Sequence, residues 1–467
     1  MTHIRRSGVI KSIFSCALVG APLLLAEPAS AADTTCDASK TWITSPNPPA
    51  EIPDGANADF CDFYQFSWQW FLDLVSPSKA DPSERKFEVD ANYPLLQATG
   101  VDSCATDVSG HAMFVRVEKS SDPNMPFVLP KRTGQAGGGD TIYDQSGNVV
   151  FYDIRFSRNL CNVGQIQSAP NFPTGTTELK SAWRIITEAD KPNYFWMEAD
   201  IDGVSGTELL GMIGFHMVIA TTLHPEFVWA TFEHRSNVPE CSKPASSPAA
   251  GWSFTSAACA KQLPNVSAPC VFNVAQPSQS LTGTPSEICR VYHDGSDPAD
   301  HEGASNIAIV DGLNAQIQKL LAALPATDPM SVWQNYMNVG ALWENDIKQP
   351  SSDVSNQRGS MRLANTVMET TFQNVDLESS FVSNCFGCHN YEVTESNTVP
   401  SADLSHIFDD IMLGACSKPM DVQAGPIWNN DDAEKKCVQT CKDKGGWNGN
   451  WTTTVQGKMS VCGCCGG

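Results

Sequence analysis

Sixteen of the seventeen cysteines lie downstream of an N-terminal export signal, and that placement constrains the fold more than any other feature. Arg5, Arg6 and Lys11 form a basic n-region, Ile13 to Leu25 an apolar h-region, and Ala29-Ser30-Ala31 a small-residue cleavage site. The chain is therefore read as exported, periplasmic or secreted, with residues 1–31 as signal peptide. The h-region, which holds Cys16, is too short to span a bilayer, and no later run approaches the roughly 18 apolar residues a spanning helix needs. An even set of sixteen cysteines outside the cytosol predicts a disulfide framework, with a connectivity that spacing alone does not give.

Charge narrows the partners. Lys+Arg 30 against Asp+Glu 52 gives −22, which argues against nucleic acid and anionic lipid surfaces, since both are recognised by clustered Lys and Arg. With 467 residues at 41% hydrophobic, the chain can bury a sizeable core and hold two domains.

Two of the cysteines carry a different chemistry. Residues 385–389 read Cys-Phe-Gly-Cys-His, the spacing of covalent c-type haem attachment. Thiols three apart on a helical turn can add to the two vinyl groups of one porphyrin, and the adjacent imidazole then lies under the iron. From this composition about 0.01 chance matches are expected. A C-x-x-C redox pair would want a βαβ setting, and half a zinc site would want a second ligand pair nearby; neither is present. The sequence thus predicts one covalent haem c on Cys385 and Cys388, with His389 as proximal iron ligand. Met412, His406 and Met420 are candidates for the sixth position, with a distant ligand or an open site as alternatives; the first two fall on a predicted helix, Ser401 to Leu413. Methionine would favour a high potential, histidine a lower one, and an open position the binding of small ligands.

The region around this motif, residues 32–420, reads as one large α+β domain with a β-rich middle and helical ends. Phe63 to Val75 repeats aromatic residues at helical spacing and stops before Ser76-Pro77. Ala112–Val117, Val149–Phe156, Tyr194–Met197, Met212–Ala220 and Phe227–His234 read as strands, the last two as a hairpin. Leu313–Leu324, Met330–Val339 and Arg362–Phe372 read as helices. Alternation places His216 with Val218 and Ala220, and His234 with Phe232, Ala230 and Val228, so both histidines become candidates for the distal side of a haem or for structural roles in the core. Long loops at Val238–Ala250 and Leu263–Glu287 are flanked by Cys241, Cys259, Cys270 and Cys289, which are expected to pin them.

The segments FSWQWFLDLV, FVWATFEHRSN, ALWEN, RLANTVMETTFQ, NCFGCHN and LSHIF together resemble a family of exported bacterial monohaem c-type proteins, scattered over most of the domain. That resemblance implies a covalent haem and export, and no particular substrate or electron-transfer partner.

After Cys416 the composition shifts to Trp, Gly, Asn and five cysteines. Ala424-Gly-Pro-Ile-Trp428, a short polar helix, and Gly446-Trp-Asn-Gly-Asn-Trp-Thr452 leading to Met459-Ser-Val461 closely resemble a cyanobacterial mannan-binding lectin module. The resemblance implies a small α/β lectin-like domain over 421–467 that binds mannose-containing oligosaccharide. It places Gly425, Pro426, Trp428, Asn430, Trp451 and Thr452 at the sugar, where an indole covers the C–H face of a pyranose and amides or hydroxyls bind its hydroxyl groups. Beside it, Cys437 and Cys441 share a helix face and Cys462 and Cys464 share a strand face. Two helix-to-strand disulfides would staple a module too small to rely on its core alone. Three readings follow: a haem protein targeted to glycans, a peroxidase- or oxidase-like haem enzyme acting on a bound sugar or small molecule, and an electron carrier with a structural tail.

Overall fold

The computed structural model describes residues 36–96, 104, 141–162, 171–201, 206–245, 248, 251–274, 281–296, 303–374, 384–391, 404–405, 407, 420–428, 430–441, 444 and 447–464. The signal peptide, the strand expected over Ala112–Val117, and the sixth-ligand candidates His406 and Met412 lie outside the described residues.

The centre is a seven-stranded antiparallel sheet built from β1 (Phe151–Phe156), β2 (Thr177–Ile185), β3 (Trp196–Asp200), β4 (Thr207–Ile219), β5 (Val228–His234), β6 (Tyr336–Glu344) and β7 (Gln357–Gly359). Their order is β1-β2-β4-β5-β6-β7, with β3 paired to β4 outside that path. The expected hairpin is β4–β5, in register through His216 opposite Thr231 and Val218 opposite Trp229.

Helix α1 (Phe60–Leu74) starts at a capping box in which Asp59 and Asp62 each accept the other's backbone N–H. Its buried aromatic stripe lies on one face of the sheet: Phe71 stacks on Phe232 at 3.9 Å and Trp68 meets the same ring edge-on at 4.9 Å. Helix α2 (Gly303–Ala322) supplies Val310, Leu313, Ile317 and Leu321 to the same core. Its Asn314 binds both backbone groups of Asn338 on β6. Alternation along β5 puts Val228, Ala230 and Phe232 in this core and turns Trp229 to the opposite face.

Two predicted helices are absent. Met330–Val339 opens as a 3-10 turn at Ser331–Asn335 and then becomes β6, because Tyr336–Asn338 and Gly340–Leu342 complete the open edge of β5. Arg362–Phe372 is turns ending in a 3-10 segment at Thr370–Asn374. Its polar side chains are drawn into the sheet: Asn365 donates to Thr231 Oγ1, and Thr366 donates through its backbone N–H and its hydroxyl to the buried carboxylate of Glu233. Such side-chain bonds compete with helix formation.

Six disulfides join the described residues. Cys36–Cys61 and Cys104–Cys161 fasten the early chain, while Cys241–Cys289 and Cys259–Cys270 pin the two long loops as expected. Among the described residues no helix is long and apolar enough to cross a membrane.

The C-terminal segment has its own three-stranded antiparallel sheet, order β8-β10-β9, from β8 (Met420–Gly425), β9 (Trp447–Val455) and β10 (Met459–Cys464). A single-turn helix α3 (Cys385–Cys388) precedes it in the chain, and helix α4 (Asn430–Cys441) packs on it. Cys437–Cys462 and Cys441–Cys464 connect α4 to β10, the helix-to-strand stapling that the spacing suggested. The small core is these four cysteines with Ile427 and Ala433. Against so few apolar side chains, two bridges at a typical 2–4 kcal/mol each are a large part of what holds the module folded.

Candidate functional site

In the C-terminal module the chain between β8 and α4 forms a fixed platform. Gly425 takes a left-handed conformation (φ 76°) that turns the strand into Pro426. The Ile427 N–H donates to Ser460 Oγ at 3.3 Å, and the Trp428 N–H to Asp432 Oδ2 at 3.1 Å. Lys436 bridges Asp432 and the Pro426 carbonyl. Held on these sides, the backbone presents the Trp428 indole to solvent, where the residue keeps 69% of its surface exposed. The β9–β10 turn flanks it: a Cβ placed on Gly457 would lie 3.7 Å from Trp428 Cη2. An exposed, pre-positioned ring is what a sugar face stacks on, because little ordering remains to be done on binding.

The predicted sugar residues do not all meet at one surface. Trp451 lies opposite Cys462 and packs half-buried against the disulfide core. Thr452 lies opposite Val461 on the other side of the strand and is exposed, as is Gln423, which pairs with Val461 from β8. Strand alternation thus separates Trp451 from Thr452, two neighbours that the sequence placed at one sugar. Gly425, Pro426 and Trp428 share the β8–α4 turn, and Asn430 opens α4. Met420, a sixth-ligand candidate, is the first residue of β8, opposite Cys464, and is 46% exposed.

The Cys385–His389 turn lies on the sheet face opposite α1. Asn384 caps it, accepting from the Phe386 N–H at 3.1 Å and donating to Gln357 Oε1 and the Met361 carbonyl. Phe386 is buried against Trp229, whose ring centroid also lies 4.8 Å from that of His389. His389 Nδ1 is 2.8 Å from the Leu404 carbonyl. A carbonyl only accepts, so Nδ1 carries the proton and the lone pair of the neutral ring is on Nε2. That is the tautomer in which Nε2 could ligate a metal, held by the hydrogen bond to the Leu404 carbonyl. His389 would therefore suit the role of iron ligand to a haem held by this turn.

The two hairpin histidines are committed to protein partners. His216 Nε2 binds Glu369 Oε1 at 2.8 Å. His234 is buried, stacked on Tyr194 at 4.1 Å, with Nε2 donating to the Asn193 carbonyl and Nδ1 accepting from the Ser236 N–H. Burial pushes its pKa down to about 3, so the ring is neutral. His234 thus takes the structural role of the two that its strand position left open.

Sequence reasoning missed a set of buried acids behind the motif. Glu226 and Glu344 are fully buried, and among the described residues both Glu344 oxygens and the Tyr391 hydroxyl have no hydrogen-bond partner. Burial first, and the Glu226 charge second, push the Glu344 carboxyl up to about 10, so it is protonated at neutral pH. In the sequence Glu344 follows Leu342-Trp343 in an apolar strand, which was the available signal.

Comparison with known families matches residues 430–464 to the family described as Mannan-binding protein. The match covers α4, β9 and β10, and leaves β8 and Trp428 outside it. No curated protein and no solved structure matches the chain.

Proposed function

We propose that this chain is an exported haem protein that attaches to mannose-containing glycans through its C-terminal module. The glycan half rests on the mannan-binding match over residues 430–464, read together with the exposed Trp428 indole on its braced turn. Trp428 stacks on the sugar, and Gly425, Pro426 and Asn430 shape the turn beside it. Thr452 and Gln423 offer polar groups on the outer sheet face. A single module gives a weak site, which many copies on a dense glycan surface turn into firm attachment. Glycan-array binding of the full chain tests this half: high-mannose oligosaccharides should be retained and other classes not.

The haem half rests on the C-x-x-C-H spacing, supported by the His389–Leu404 hydrogen bond that fixes the ligating tautomer. In this reading Cys385 and Cys388 hold one haem c and His389 is its proximal ligand; bound there, the haem supplies one-electron chemistry. Trp229 and Phe386 exclude water beside the imidazole, and the Leu404 carbonyl keeps it oriented. Acid–acetone extraction should leave the pigment on the protein, and a colourless purified protein would refute this half alone. Carbon monoxide binding to the ferrous form separates an open sixth position, suited to peroxidase- or oxidase-like activity, from a closed electron carrier.

A further inference from the structure

Away from both sites, three ligand-type side chains converge, two of which, His293 and Asp311, line a cleft of about 600 Å³. His293 and Asp294 sit in a tight 3-10 turn, and Asp311 comes from the first half of α2. His293 Nε2 is 3.0 Å from Asp294 Oδ2 and 3.1 Å from Asp311 Oδ2. Its other nitrogen, Nδ1, is 3.3 Å from Glu240 Oε1, and that carboxylate is held by Arg290 at 2.9 Å. We propose that His293, Asp294 and Asp311 form a divalent transition-metal site, of the zinc type, opening into this cleft.

Four features carry the inference. Asp294 is 0% exposed; its Oδ2 faces His293 Nε2 at 3.0 Å, and its Oδ1 has no hydrogen-bond partner among the described residues. A buried carboxylate oxygen left without a donor is costly, and a bound cation reduces that cost. The separations suit the ion: with metal–ligand bonds of about 2.0–2.2 Å, tetrahedral neighbours lie about 3.3–3.5 Å apart. The observed nitrogen-to-oxygen distances are within a few tenths of an ångström of that. In the metal-free state Nε2 carries a proton between the two carboxylates, which the ion would displace, while Nδ1 stays toward Glu240, the carboxylate that would orient the ring. One nitrogen among the donors favours zinc-like ions over calcium, which prefers an all-oxygen shell. Three protein ligands leave a fourth position facing the cleft, where Lys243, Trp252 and Gln318 also line the wall.

The test is zinc titration of the chelator-treated full chain, followed by calorimetry and by thermal unfolding. One equivalent of Zn²⁺ should bind and raise the melting temperature, with Ca²⁺ at the same concentration doing neither. Asp311→Asn changes a half-exposed side chain on a helix surface, so the fold should keep its metal-free melting temperature while zinc affinity falls at least tenfold. His293→Gln should lose binding more completely. X-ray absorption of the loaded protein should show one nitrogen from imidazole with oxygen donors. The proposal is overturned if wild type binds no zinc, if calcium binds as tightly, or if both variants keep wild-type affinity.

Discussion

The imidazole of His389 and the indole of Trp229 lie with ring centroids 4.8 Å apart, joining the C-x-x-C-H turn to the middle of the central sheet. Trp229 is also in contact with Phe386 and donates its Nε1–H to the Glu226 carbonyl, so one residue fixes the turn and is itself fixed. Removing it should loosen the motif more than the sheet. Trp229→Ala is expected to cost about 3–5 kcal/mol, in the range of large aromatic truncations. Trp229→Phe should cost clearly less. Urea unfolding followed by circular dichroism measures the stability. A Trp229→Ala protein as stable as wild type would show that the turn is anchored elsewhere.

His234 sets a pH dependence on the acid side. Its folded pKa of about 3 lies below the ordinary value of 6.5, because burial, with the Arg184 and Arg235 charges behind it, outweighs the hydrogen bond to the Asn193 carbonyl. Between these values the unfolded chain takes up a proton that the native state refuses. The contribution is therefore fully present above pH 6.5 and is lost as pH falls toward 3, at a slope of up to about 1.4 kcal/mol per unit. His234→Gln should flatten that slope, at some loss of stability at neutral pH from the stack on Tyr194. Denaturation midpoints at pH 7 and pH 4.5 give the comparison; an unchanged difference between them would contradict it.

Glu344 acts in the opposite direction. Its folded pKa is raised from 4.5 to about 10, by burial and by Glu226. Stability is then fully present below pH 4.5 and declines as pH rises toward 10, because the unfolded chain releases a proton that the native state retains. Glu344→Gln mimics the protonated carboxyl and removes this decline. At pH 8 the variant should melt higher than wild type, and at pH 4.5 the two should nearly coincide. A variant that melts lower at both values would mean that Glu344 has a partner that requires its charge.

The distribution of legible and illegible features follows the range of the interactions. Helix α1 and the β4–β5 hairpin were readable because their periodicity is local, over Phe63 to Val75 and across the turn after Ala220; the Asp59 cap that starts the helix at Phe60 was not read. Helix-to-strand stapling of the C-terminal module was readable because two cysteines share a helix face and two a strand face, while which cysteine pairs with which came only from the structure. Met330–Val339 misled because its apolar spacing suits a helix, while the free edge of β5, distant in sequence, requires a strand. Asn365 and Thr366 misled similarly, since their partners Thr231 and Glu233 are known only once the sheet exists. The His293 cluster and the Glu344 pocket were invisible for the same reason: each is assembled from segments that the sequence keeps apart.

At the sugar site the structure changes which indole should matter most. Trp428 is exposed on a turn tied to Ser460, Asp432 and Lys436, whereas Trp451 is packed against the disulfide core of the module. Trp428→Ala should leave the melting temperature of the module nearly unchanged, because little apolar surface is uncovered. The same change should weaken high-mannose binding by about 1–3 kcal/mol, by analogy with base–aromatic stacking, roughly 5- to 150-fold and enough to erase a weak single-site interaction. Trp451→Ala should do the reverse in order: the fold loosens first, and binding fails with it. Calorimetry with a high-mannose oligosaccharide, run beside thermal unfolding on each full-length variant, separates the two. Trp428→Ala binding with wild-type affinity would move the sugar off this turn and onto the outer face around Thr452 and Gln423. Adding Thr452→Ala then decides that alternative, since an exposed threonine on a strand can be removed with little cost to the sheet.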